Sequence, residues 1–244
     1  MRNIKLIIEY DGTNYCGWQR QNNVMTIQEK VERAIEEITG EKALITGSSR
    51  TDAGVHAKGY TGNFYTNSKI PVEKFTGAIN SKLPRDIVIL HSYEVPYEFH
   101  SRYNCTGKLY SYSIINRRQP VAVGRNYIYH HQKLLDVEAM RLGALYFIGT
   151  HDFSAFKNLG SSVKTSVRTI SKLDIIKNGD QIKIYIAADG FLYNMVRIIV
   201  GALIRVGEET IKPNEINKII ESKQRAKAGK AVPPNGLCLE EVFY

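Results

Sequence analysis

Ile4, Leu6, Ile8 and Tyr10 alternate with Lys5, Ile7, Glu9 and Asp11. A period of two places one set of side chains on one face of a strand, so this segment has one strongly buried face and ends at Asp11-Gly12. A helix follows. Thr26 and Glu29 fit a capping box, Ile27, Val31, Ala34, Ile35 and Ile38 form one apolar stripe, and Gly40 suits the stop. Strands are expected at roughly residues 43–47 and 58–66, a short helix after Pro71 carrying Val72, Phe75 and Ile79, and a strand at Ile87-Val88-Ile89-Leu90. The second half repeats this β-α-β-β-α-β order. Lys108 to Ile115 alternates, Asp136 caps a helix with Val137, Met140 and Ala144 inward, and Ile170–Ile176 and Ile182–Ile186 flank the turn Asn178-Gly179-Asp180. Leu192 to Val206 is a helix apolar on most sides, and Leu237 to Tyr244 closes with a strand. The expected fold class is α+β, with two tandem ferredoxin-like halves at residues 1–104 and 105–244 and mainly antiparallel sheets. A joined sheet would leave a central concave face as a ligand cleft.

Charge divides unevenly between the halves. Residues 1–104 carry 13 Lys or Arg and 12 Asp or Glu, whereas residues 105–244 carry 20 and 12, so most of the net +9 lies in the second half. That favours a polyanionic partner there, against the alternative of a solvated basic face. Cys16, Cys105 and Cys238 form no C-x-x-C pair, which argues against a disulfide framework or zinc knuckle. The N-terminus has no signal-peptide core and no apolar stretch is long enough for a bilayer, so a cytoplasmic protein without a membrane partner is expected. The basic run Lys223 to Lys230 reads as the nearest thing to a linker.

Common catalytic motifs are missing: a G-x-x-x-x-G-K-[ST] phosphate loop, a G-x-G-x-x-G turn, and the H-x-E with P-C-x-x-C of nucleobase deaminases. His130-His131 and His151-Asp152 lack further ligands at fitting spacing and read as loop or core residues, with no metal expected. Asp52 differs. It sits in Gly47-Ser48-Ser49-Arg50-Thr51-Asp52-Ala53-Gly54, where glycines allow a tight turn and close approach to a ligand. If Arg50 to Asp52 is extended, both side chains emerge on one face, and a nearby guanidinium would keep the carboxylate ionised. By spacing alone, Asp-Ala-Gly favours a structural Asx-type turn role.

The segment Arg50-Thr51-Asp52-Ala53-Gly54-Val55-His56-Ala57 matches the R-T-D-A-G-V-H-A signature of the tRNA pseudouridine synthase A (TruA) family. Further segments resembling that family follow in order: Tyr10-Asp11-Gly12, Gly17-Trp18-Gln19-Arg20-Gln21, Phe99-His100-Ser101-Arg102 and Lys108-Leu109-Tyr110-Ser111-Tyr112. Phe191 to Arg197 resembles its buried helix, and Pro233-Pro234-x-Gly236-Leu237 its C-terminal turn. Two departures stand out. Ser49 replaces the usual Gly before Arg50, which bears on the loop's backbone conformation, and Cys16 replaces a polar or aromatic residue before Gly17-Trp18.

The resemblance implies that Asp52 carries the isomerisation of uridine to pseudouridine, in which the N1–C1′ bond breaks, the uracil rotates and C5 joins C1′. No cofactor is implied, since the product keeps every atom of the substrate. Residue types leave open whether the carboxylate adds to sugar or base, or removes the 2′ proton to give a glycal. Arg50 resembles the arginine that enters the helix as the target base leaves it, offsetting part of the unstacking cost. Tyr110 matches the tyrosine lying against the flipped uracil, with Tyr112 its structural neighbour. Arg197 matches the arginine paired with the catalytic aspartate, and a guanidinium in an apolar helix needs an anion in any case. Arg20, Lys223, Arg225 and Lys227 are candidates for phosphate contacts. The implied substrate is tRNA at uridines 38, 39 and 40 of the anticodon stem-loop, bound in the cleft by a homodimer with one tRNA across both subunits. A related synthase with other RNA targets, or a tRNA-binding or folding module, are the alternative readings.

Overall fold

A computed structural model describes residues 1–158, 160 and 163–244. The chain divides into two compact units, Met1–Thr106 with Cys238–Tyr244, and Gly107–Leu237. The fold is α+β and mainly antiparallel, as the alternating patterns require.

The first unit runs β1 (Arg2–Tyr10), α1 (Ile27–Thr39), β2 (Thr46–Gly47), β3 (His56–Thr66), α2 (Val72–Asn80) and β4 (Ile87–Val95). β1 is central, antiparallel to both β3 and β4, and β2 extends the far edge of β3. The order β4-β1-β3-β2 is that of a ferredoxin-like unit. Ile4, Leu6 and Ile8 of β1 are buried together with Ile27, Val31 and Ile35 of α1 and Phe75 and Ile79 of α2. Burying each of these side chains fully contributes roughly 1.5–3 kcal/mol. Phe64 of β3 meets Phe75 edge-on, centroids 5.8 Å apart.

Thr26 does precede α1, but its hydroxyl makes no cap. The N–H groups of Ile27 and Gln28 are already taken by Gly17 O and Trp18 O, at 3.2 and 3.0 Å. Glu29 turns instead to Arg33, at 2.7 Å. The expected strand at 43–47 is reduced to Thr46–Gly47.

The second unit contains β5 (Gly107–Asn116), β6 (Tyr129–His131), α3 (Val137–Leu145), β7 (Gly149–Asp152), β8 (Val167–Asn178), β9 (Gln181–Ala188), α4 (Met195–Gly207) and α5 (Glu215–Ser222). β9 lies between β5 and β8, with β7 beyond β8 and β6 parallel to β5. Asp136 caps α3 as expected, accepting from Ala139 N at 3.0 Å. α4 begins at Met195 because Asn194 is left-handed, φ 62°. The periodicity reading missed β6, β7 and α5; β6 and β7 are too short and polar to show a period. Lys223–Lys230 is no linker: Arg225–Ala228 forms a 3-10 turn whose Ala228 is buried, and Arg225 donates to Asn158 Oδ1 at 2.8 Å.

β10 (Leu237–Phe243) belongs with the first unit rather than with the half it follows in sequence. It pairs parallel with β3, Cys238 opposite His56 and Leu239 opposite Ala57. There β3 carries an extra residue, since Ile8 faces Tyr60 while Tyr10 faces Ala57. Such a bulge re-aims side chains at the strand's end. Among the described residues no helix is long and apolar enough to cross a membrane.

Candidate active site

Asp52 lies in the loop between β2 and β3, half-buried, with Thr51 buried before it and Arg50 exposed. That alternation puts Thr51 inward and the Arg50 and Asp52 side chains on the opposite side, as extended backbone does. Thr51 is held twice: its hydroxyl lies 2.8 Å from Tyr10 OH, and its carbonyl accepts from Trp18 N at 3.2 Å. Tyr60 OH donates to Ser49 O at 2.5 Å, Gly54 N to Tyr15 O at 3.3 Å, and Val55 N to Asp52 O at 3.2 Å. At about 0.5–1.5 kcal/mol each, such bonds together fix a loop that would otherwise be free to rearrange.

Below the loop the rings of Trp18 and Tyr60 stack at 3.8 Å, with Tyr10 at 5.8 Å from Tyr60. The segment 12–18 approaches the loop closely enough to need glycine. A Cβ on Gly12 would sit 2.0 Å from Val55 O, and one on Gly17, where φ is +83°, 2.3 Å from Thr51 O. Tyr15 fixes the same segment, donating to Asp86 Oδ1 at 2.7 Å; burial, then Asp86, raises its phenol well above the ordinary range. Ser49 is not among the residues with positive φ, so the loop does not require glycine at that position.

Trp18–Arg20 is in turn tied to α1. Glu32, only 1% exposed, accepts from Gln28 Nε2 at 2.9 Å, Ile45 N at 3.2 Å and Arg20 Nη1 at 3.1 Å. Arg20, a phosphate candidate by its charge, thus satisfies a buried carboxylate. His56 Nδ1 accepts from Gly12 N at 3.1 Å, with Asp11 Oδ1 equally near. The positioning roles of Tyr10, Trp18, Glu32 and Tyr60 were not legible from residue type, although Tyr10-Asp11-Gly12 and Gly17-Trp18 had marked the strand end and turn they occupy.

Tyr110 and Arg197 lie in the second unit. Tyr110, on β5 and nearly buried, meets Phe191 edge-on at 5.1 Å. Three residues after Phe191, Asn194 accepts from Arg197 Nη1 at 2.8 Å, and Arg197 Nε donates to Val232 O at 2.7 Å. Asn194 therefore holds the arginine instead of capping α4. One short segment, 191–194, touches both candidate residues. Tyr112, next along the same face of β5, donates to Pro233 O at 2.8 Å, and burial raises its phenol far above the ordinary range. Arg50 and Asp52 belong to the first unit.

Among the described residues no group of three or more His, Cys, Asp or Glu could hold a metal ion. His130 Nε2 lies 2.8 Å from Arg117 O and His151 Nε2 2.9 Å from Ile148 O, so each ring, on a short strand, contacts a backbone carbonyl. Burial lowers the pKa of His131, with Glu208 opposing.

A sequence model of a family described as tRNA pseudouridine synthase matches residues 6–104 and 144–244. The chain is 59% identical to tRNA pseudouridine synthase A 2 of Clostridium perfringens (strain 13 / Type A), over the full length of both. It is 57% identical to tRNA pseudouridine synthase A of Clostridium acetobutylicum and 55% identical to that of Acetivibrio thermocellus, again over the full length of each. With the R-T-D-A-G-V-H-A loop seated on an aromatic and glycine scaffold, and relatives this similar from end to end, the chain belongs to the tRNA pseudouridine synthase A family, isomerases that act on tRNA.

Proposed function

We propose that this chain converts uridine to pseudouridine at positions 38, 39 and 40 of the tRNA anticodon stem-loop, working as a homodimer, with Asp52 as the catalytic carboxylate. The observation that carries the catalytic assignment is the Asp52 loop itself. Ser49, Thr51 and Gly54 are each anchored to the scaffold, while Arg50 is exposed and, among the described residues, makes no hydrogen bond or ion pair. An anchored loop carrying a half-buried carboxylate and an exposed guanidinium suits a reaction in which a nucleotide leaves the stack and is held for chemistry.

The isomerisation is self-contained. The N1–C1′ bond breaks, the uracil turns while enclosed, C5 bonds to C1′, and the C5 proton is lost as N1 gains one. In this reading Asp52 meets the reacting nucleoside, Arg50 fills the vacancy in the stack, and Tyr110 lies against the extruded uracil. Arg197 is the counter-ion that keeps Asp52 ionised. Its own unit prepares it: with Nε and Nη1 fixed by Val232 O and Asn194 Oδ1, two of five N–H donors already set the plane of the guanidinium.

Arg197→Met removes both anchoring bonds and the charge. The expected result is a kcat lower by at least about tenfold, near 1.4 kcal/mol of transition-state stabilisation, with a measurable drop in melting temperature. Unchanged kinetics together with unchanged stability would contradict the assignment.

Target choice is tested by incubating the purified protein with tRNA transcripts carrying uridines at 38, 39 and 40 and mapping pseudouridine position by position. Modification confined to those positions is expected. Modification elsewhere would assign the chain to a synthase with other targets, and tRNA binding with no pseudouridine at any position would make it a binding module.

A further inference from the structure

The segment Phe99-His100-Ser101-Arg102 was singled out in sequence, and the catalytic reading gives it no task. It forms a turn fixed from beneath by an unusually complete polar network. Ser101 is fully buried, its N–H donating to Asn63 Oδ1 at 2.9 Å, its hydroxyl set between Asn63 Oδ1 and Thr46 O, and its carbonyl accepting from Tyr244 OH at 2.7 Å. Asn3 Nδ2 reaches Phe99 O at 2.8 Å, and Asn63 Nδ2 bonds Asn3 Oδ1 at 2.9 Å. The Phe99 ring lies 5.1 Å from Tyr244, with Lys5 Nζ 5.6 Å above it. Buried polar side chains are costly unless satisfied, and here each has its partner.

What this network holds outward is different in kind. Tyr103 is 77% exposed, and its ring stacks on His100 at 4.2 Å and 30°. The Arg102 guanidinium carbon lies 6.0 Å from the Tyr103 centroid. His100 Nδ1 accepts from Arg102 N and Tyr103 N at 3.2 and 3.3 Å, which locks the stack to the backbone. Neither Arg102 nor Tyr103 makes a side-chain hydrogen bond or ion pair among the described residues. The stack leaves a tyrosine face and a guanidinium charge open to solvent. Single-stranded nucleic acid has the matching chemistry, a π-face for the ring and a phosphate for the cation. Ser101 bonds Thr46 of β2, the strand that precedes the Asp52 loop, so the turn and the loop belong to the same unit.

We propose that His100–Tyr103 is a preorganised subsite for an unpaired nucleotide of the RNA substrate, Tyr103 stacking on the base and Arg102 contacting the phosphate. This rests on the reading of the chain as an enzyme acting on tRNA. The ordered turn lowers the entropic cost of binding.

The test compares tRNA affinity and steady-state kinetics for wild type, Tyr103→Ala, Tyr103→Phe and Arg102→Gln on the full chain. Loss of one base–aromatic stack is expected to raise Kd and KM by about 5- to 150-fold in Tyr103→Ala, with kcat at saturating tRNA retained. Tyr103→Phe keeps the face and should stay within about twofold of wild type on the same grounds. Arg102→Gln should reduce the salt dependence of binding by about one counterion. Wild-type turnover with an unmoved KM in Tyr103→Ala overturns this subsite and leaves the enzymatic reading standing. Wild type that neither binds nor modifies tRNA sinks both. A change of oligomeric state in Tyr103→Ala with tRNA affinity unmoved assigns the turn to a protein interface, and equally overturns it.

Discussion

Asp52→Ala is expected to remove turnover while leaving tRNA binding nearly intact. In the proposed reading the carboxylate supplies the reacting group, and removing a positioned acid, base or nucleophile costs at least about a hundredfold in rate. Affinity for RNA comes mainly from phosphate contacts, which Asp52 does not make. The side chain is half-buried on a loop whose anchors are Ser49 O, Thr51 and the Gly54 N–H, none of them atoms of the Asp52 side chain. A filter-binding Kd close to wild type beside a collapsed kcat is the predicted pair of results. Full turnover by the variant would mean another residue carries the chemistry.

The second large effect is expected at a residue that touches no substrate. Gly17 has φ +83°, and a Cβ there would stand 2.3 Å from Thr51 O, 3.1 Å from Asp52 C and 3.3 Å from Ala53 N. All three are backbone atoms of the Asp52 loop, so the loop itself must move. A displacement near 1 Å costs about a hundredfold in rate, and a left-handed alanine adds about 1–2 kcal/mol of strain. Gly17→Ala should therefore lose both stability and kcat. Gly40→Ala is the control, because Gly40 also has positive φ, +71°, yet nothing lies within 4 Å of its would-be Cβ. It should pay the backbone strain alone and turn over normally. Equal kcat losses in the two variants, or none in Gly17→Ala, would refute the claim that segment 12–18 sets the loop.

Much of the fold was legible because local pattern and tertiary role coincide. The alternation through Ile4 to Tyr10 gave β1, the stripe from Ile27 to Ile35 gave the buried face of α1, and Asp136 capped α3 with the expected bond. Failures came where a distant group had already satisfied a local need. Thr26 has the right chemistry for an N-cap, but Gly17 and Trp18 carbonyls occupy the N–H groups at the start of α1. The partner of β10 could not be read from its own sequence, since periodicity reports a buried face and says nothing of which strand lies alongside.

The candidate site divides the same way. Asp52 is fixed by its motif, whereas its support is spread over Tyr10, Trp18, Glu32 and Tyr60, residues that composition would send to an ordinary core or surface. Glu32 is the clearest case: its burial is intelligible only once Ile45 N, Gln28 and Arg20 are seen converging on it.

The proposed reaction requires Asp52-dependent breakage of the C5–H bond of uridine in tRNA. Release of tritium from tRNA labelled at C5 of uridine, measured for wild type and Asp52→Ala at equal tRNA occupancy, tests that directly. Stoichiometric release by wild type and none by the variant is predicted; no release by wild type, or equal release by both, would contradict it.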